Sequence, residues 1–204
     1  MNPILTIFAR PRDTMKGLLA SCPWYSVPLL GALWGIVQAL SVAQRRNLGN
    51  DFSNLQIVGF AILVGAFLGL AKTYGGAVAF WGLSRAVGGN GSLRDTRIAI
   101  AWGEVPHVAM LVFWPFLIIV SGQHAFAKPT DLDSANFLGV LLLLPFMIAK
   151  LVASIWAIVA SVNCLMVAHD VSGFRAFCAF SLGWIVLVLC LIASIVPLVL
   201  WLGP

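Results

Sequence analysis

The chain has 204 residues, of which 61% are hydrophobic and only 9% charged, with a formal net charge of +5. That leaves too little polar surface for a soluble globule of ordinary make-up and places the chain in lipid. The basic excess comes with no basic stripe and no RNA-binding motif, so nucleic acid is excluded as a partner and the charge reads as a topology signal and a headgroup contact.

In chain order, Asn2 and Pro3 fit the N-cap and first position of a short helix, and Pro11 marks a second start. Ile4, Leu5 and Phe8, then Met15, Leu18 and Leu19, recur every three or four residues, with Arg10, Arg12 and Lys16 between them. Residues 1–23 are therefore expected to form an amphipathic segment in the cytoplasmic headgroup layer, a disordered basic tail being the alternative. Leu19, Ala20, Ser21 and Cys22 have the form of a lipoprotein cleavage box. Arg10, Arg12, Asp13 and Lys16 stand where its apolar region should be, and the box is rejected.

Residues 24–204 read as one all-α unit, a polytopic membrane protein with a bundle of five transmembrane helices at 24–44, 55–84, 98–121, 137–168 and 174–202. Each run reaches the ~20 apolar residues that a spanning helix needs. The second and fourth would extend about 45 Å, beyond a roughly 30 Å hydrocarbon core, and should tilt, kink or protrude. Gly75 and Gly76, and Pro145, are the expected bends.

Small residues recur at four-residue spacing: Gly31 and Gly35; Ala61, Gly65 and Gly69; Ala149, Ala153, Ala157 and Ser161. Such stripes allow close helix approach, here expected within the chain, a homo-oligomer face being the alternative. Trp24, Tyr25, Trp81 and Trp102 fall near one predicted boundary, and Trp114 and Trp201 near the other, as interface anchors do. Cys22, Cys164, Cys178 and Cys190 lack paired spacing and read as buried structural thiols.

Outside the spans, Arg10, Arg12, Lys16, Arg85, Arg94, Arg97 and Arg175 lie on one face and Arg45, Arg46 and Lys128 on the other. Seven against three puts the N-terminus in the cytoplasm and, after five crossings, the C-terminus on the opposite side.

The connection Gly88, Gly89, Asn90, Gly91, Ser92, Leu93, Arg94 reads as a tight cytoplasmic turn whose glycines permit left-handed backbone. A phosphate cradle would need the missing Lys and Ser or Thr, and a preceding strand. The connection from His169 to Arg175 loosely echoes it, so the second and third spans, and the fourth and fifth, read as two parallel hairpin repeats.

The stretch from Asn2 and Pro3 through Ile7 and Phe8 to Pro11 and Arg12, the turn from Gly88 to Ser92, and the Ala101 to Pro106 segment together resemble the Yip1 domain family over the whole chain. The resemblance implies five helices, a cytoplasmic N-terminus and a Gly-Gly-x-Gly-Ser turn after the second helix. Eukaryotic relatives carry a longer N-terminal region and act in vesicle traffic with Rab-type GTPases. Only about 23 residues precede the first span here, which resembles the bacterial members, and no Rab-contact residue carries over.

Lys72, Glu104 and Lys150 sit inside spans, where an ionisable group costs several kcal/mol unless paired, wetted or neutralised. Glu104 and His107 share one helix face, and Pro106 between them removes the bond to the Trp102 carbonyl. Three readings follow: Glu104 neutral by desolvation or paired with Lys72 as structural glue, a lipid or small-ligand site, or a proton or ion pathway. Lys150 is expected to snorkel outward.

No zinc-binding helix, nucleophile elbow or paired aspartates are present, and Glu104 with His107 offers too few ligands for a metal. The sequence therefore predicts no enzyme, metal or cofactor. It predicts a Yip1-like scaffold or adaptor of a bacterial inner membrane, organising lipids and membrane-protein partners. The alternative is a small transporter or lipid-handling protein built on Lys72, Glu104, His107 and Lys150.

Overall fold

A computed structural model describes residues 3–21, 23–127 and 134–202. The readings placed on Asn2, Cys22 and Lys128 lie outside the described residues. Among the described residues, the main elements are α1 (Pro3–Ala9), α2 (Pro11–Ser21), α3 (Ser26–Arg45), α4 (Asn54–Ala86), α5 (Leu93–Ser121), α6 (Ser134–His169) and α7 (Gly173–Leu202). Five of these, α3 to α7, contain stretches long and apolar enough to cross a membrane, so the chain is an all-α polytopic protein.

The third crossing begins five residues before its expected start, at Leu93 rather than Ile98, because a capping box opens it. The Ser92 hydroxyl accepts from the Asp95 N–H at 3.1 Å, and the Asp95 carboxylate accepts from the Ser92 N–H at 3.1 Å. Ser53 and Gln56 open α4 in the same way.

Two single π turns, Ala61–Gly65 and Lys72–Gly76, interrupt α4. The second takes in Gly75 and Gly76, so the expected distortion there is an extra residue in the helical ladder. By contrast α6 runs through Pro145 as one helix, although the proline offers no N–H to the Leu141 carbonyl.

The small-residue stripes of α3 and α4 face each other. A methyl group built on Gly35 would meet the Gly65 carbonyl and Gly69 backbone, and one on Gly69 would meet the Gly31 carbonyl. Gly103 of α5 presses in the same manner on Ser161 of α6.

At one end of the bundle, α1 and α2 bury Ile7, Met15 and Leu18 in the core beside Ile98, Trp102 and Leu165. Arg12 Nε donates to Asn163 Oδ1 of α6 at 2.6 Å. The amphipathic segment is thus seated on the bundle, with Ile4 and Leu5 left exposed.

Two tryptophans expected as interface anchors are core residues instead. Trp102 is 4% exposed, and Trp114 is 1% exposed between the rings of Phe126 and Phe146. Trp114 packs on Phe146 of α6 and Trp102 lies in the core cluster with Ile7 and Leu165, a direction the boundary count does not see. Trp24 is 86% exposed. Of the thiols, Cys164 is buried, Cys178 half-buried, and Cys190 exposed on the outward face of α7 rather than buried as expected.

The two turns at the α1–α2 end share one capping geometry. Gly88 (φ 95°) and Asp170 (φ 51°) take left-handed backbone; the next N–H in each case bonds five residues back, Gly89 to Ser84 at 2.8 Å and Val171 to Met166 at 3.2 Å. The turns touch: the Asn90 N–H donates to the His169 carbonyl at 3.0 Å.

Candidate functional site

The polar cluster is built at a break in α5. Pro106 has no N–H for the Trp102 carbonyl, and the helix loosens at Glu104, whose backbone leaves helical geometry at φ −87° and ψ 0°. Gly103, pressed on Ser161, brings this break against α6, while the π turn at Lys72 lies on the neighbouring α4.

Lys72 Nζ donates to Glu104 Oε1 at 2.9 Å, and His107 Nδ1 lies 2.7 Å from Glu104 Oε2. His107 Nε2 lies 3.0 Å from Ser154 Oγ, which in turn donates to the Lys150 carbonyl at 2.8 Å. Glu104 is 5% exposed. The Lys72 ammonium also sits 4.0 Å above the Trp34 ring and 5.2 Å from that of Trp184.

Ser154 has one hydroxyl proton and two acceptors in reach, the Lys150 carbonyl and His107 Nε2. When the carbonyl takes it, Nε2 donates to Ser154 and a further proton lies between Nδ1 and the carboxylate; when Nε2 takes it, Nδ1 donates to an ionised Glu104 that pairs with Lys72.

Two cavities flank the cluster. A groove of about 790 Å³ runs between α3 and α4, lined by Trp34, Ala39, Phe60, Val64 and Leu68 among others, with Gln38, Gln56 and Lys72 as its hydrogen-bonding side chains. A smaller chamber of about 80 Å³ lies among α3, α5 and α6 and includes His107, Lys150, Ser154, Gln38, Ser41 and Arg45 in its walls.

Of the residues singled out by sequence, Lys72, Glu104 and His107 are brought together and Pro106 makes the break. Lys150 joins only through its carbonyl. Its ammonium lies 5.9 Å from the Trp114 ring and 5.7 Å from that of Phe146, both in the chamber wall. Sequence reasoning missed Trp34, Trp184 and Ser154. Ser154 alone left a signal, four residues beyond Lys150 and so on the same helix face.

The glycine turn is a separate feature. Of its three glycines only Gly88 takes the left-handed backbone that a glycine permits. Gly89 and Gly91 are small because His169 and the Ala168 carbonyl lie where a methyl group would go. Ser92 supplies the cap, and Arg94 is exposed. The His169 ring is wholly buried, with Nε2 2.9 Å from Thr96 Oγ1.

A model of the Yip1 domain matches residues 5–195, from within α1 to within α7. The chain belongs to the Yip1 domain family. The matched stretch takes in both turns, the break at Glu104 and both cavities, so the cluster lies inside the family's domain rather than in an appendage. No curated protein and no solved structure matches the chain.

Proposed function

We propose that this Yip1-type protein is a non-enzymatic scaffold of a bacterial cytoplasmic membrane, organising lipids and membrane-protein partners. Its N-terminus lies in the cytoplasm and its C-terminus on the opposite side. The observation behind this reading is the α3–α4 groove, whose wall is almost wholly apolar. Along α4 it extends from Gln56 to Lys72, roughly 24 Å at 1.5 Å per residue, against about 15 Å of hydrocarbon in one leaflet. At the end of the groove the Lys72 ammonium lies over the Trp34 ring and is paired with Glu104. Such a groove suits a lipid acyl chain.

Mass spectrometry of the protein purified from native membranes tests this. Wild type is expected to retain phospholipid and co-purifying proteins, and Val64→Trp, which fills the groove, to lose the lipid. Equal lipid retention by both would remove the groove from the reading. For orientation, Lys16→Cys is expected to react with a membrane-impermeant thiol reagent only after cells are opened.

The hydrogen-bonded chain from Lys72 at the groove to Ser154 at the chamber favours a second reading, a small transporter or lipid-handling protein. Reconstituted vesicles should then lose lipid or solute movement in Glu104→Gln. Rates no higher than in protein-free vesicles would dismiss it.

A further inference from the structure

We infer that the chamber among α3, α5 and α6 binds a phosphate-type oxyanion, carried by a lipid headgroup or free in solution. The chamber shares Gln38 with the acyl groove but does not depend on an acyl chain bound there.

Three helices each contribute one face to the chamber at helical spacing. From α3 come Gln38, Ser41 and Arg45; from α5, His107, Met110 and Trp114; from α6, Phe146, Lys150 and Ser154. About 80 Å³ is available, where a single water needs about 10–15 Å³. The space therefore accepts a tetrahedral oxyanion.

The walls are positive and carry no acid. Arg45 and Lys150 both line the space, and among the described residues neither forms an ion pair. Glu104, the nearest carboxylate along the hydrogen-bonded chain, is already bonded to Lys72 and His107. Lys150 has only two ring faces near the outer limit of cation–π range for compensation. Two cations lining one space repel each other, and an anion between them turns that repulsion into attraction.

The donor set selects the kind of anion. A guanidinium fork matches two oxygens of one oxyanion, the ammonium supplies a third contact, and the Gln38 amide and Ser41 hydroxyl are further donors. A halide would use none of that fork geometry. Arg45 is exposed at the end of α3, so the site opens at the bundle end away from α1 and α2, where headgroups and solvent meet.

Radiolabelled inorganic phosphate, added to the full chain in phosphate-free maltoside micelles, tests the site directly. Short-chain phosphatidylglycerol and the matching diacylglycerol are the competing probes. Phosphate or phosphatidylglycerol is expected to bind, while diacylglycerol does not compete. Lys150→Met and Arg45→Gln should each weaken binding on the order of tenfold, and Lys150→Arg should restore most of it. Binding of phosphate alone assigns a free ion, and binding only of phosphatidylglycerol assigns a headgroup. Tails held by the acyl groove would reveal themselves through equal competition by diacylglycerol. If folded wild type bound neither phosphate source, or folded Lys150→Met and Arg45→Gln bound as wild type does, the site would not exist.

Discussion

Lys72 Nζ and Glu104 Oε1 stand 2.9 Å apart although 32 residues separate them in the chain, and this contact ties the π turn of α4 to the break in α5. Glu104 is also bonded to His107, whereas Lys72 has no second acid among the described residues, so the two partners are not equivalent. Removing Lys72 leaves Glu104 its bond to His107, whereas removing the Glu104 charge leaves an ammonium with only the Trp34 and Trp184 rings. Glu104→Gln is therefore expected to cost about 3 kcal/mol, in the range for an orphaned buried charge, and Lys72→Met clearly less. Reversible unfolding in mixed micelles measures both; equal losses would contradict this asymmetry.

The α3–α4 crossing rests on backbone-to-backbone approach. Gly69→Ala would drive a methyl group into the Gly31 carbonyl and Gly35 backbone, whereas Gly59→Ala, also in α4, meets nothing within 4 Å. Overpacking at Gly69 should cost about 1–3 kcal/mol and Gly59→Ala no measurable stability. Thermal denaturation in detergent separates the two, and a similar melting temperature for both variants would mean that the helices do not pack on this face.

The span count and the small-residue stripes were legible because both are periodic along the chain: lipid demands sustained apolar runs, and close approach demands residues without bulk. Lys72, Glu104 and His107 stood out because charge is costly in hydrocarbon. What the sequence hid were rotations about the helix axis. The two π turns shift the faces of α4 by an inserted residue, so nothing in the spacing indicates that Lys72 meets Trp34 of α3. Trp102 and Trp114 lie at boundary-like positions yet face inward, and distance along a helix carries no information about that direction.

The shared cap of the two turns makes a prediction about the glycines. Asp170 occupies left-handed backbone where the other turn has Gly88, so Gly88→Asn should be tolerated within about 1 kcal/mol. Gly91→Ala should not, since its methyl group would strike the Ala168 carbonyl and the His169 ring. Expression level and melting temperature of the purified variants check this, and a reversed order would mean that backbone conformation, not contact with His169, dictates the glycines.

His169 and Thr96 repeat the arrangement of His107 and Ser154. Thr96 Oγ1 lies 2.9 Å from both the Ser92 carbonyl and His169 Nε2, while the buried His169 Nδ1 has no hydrogen-bond partner among the described residues. Thr96→Val removes the hydroxyl and leaves the ring without a side-chain partner in a site with no exposure. A cost of about 1–3 kcal/mol is expected, because an unmade buried hydrogen bond carries its full desolvation penalty. Combining Thr96→Val with His169→Phe removes both polar groups and should recover part of the loss. A double-mutant cycle in unfolding free energy reads the coupling directly; strict additivity of the two substitutions would show that the turns are held together by the Asn90 to His169 backbone bond and packing alone.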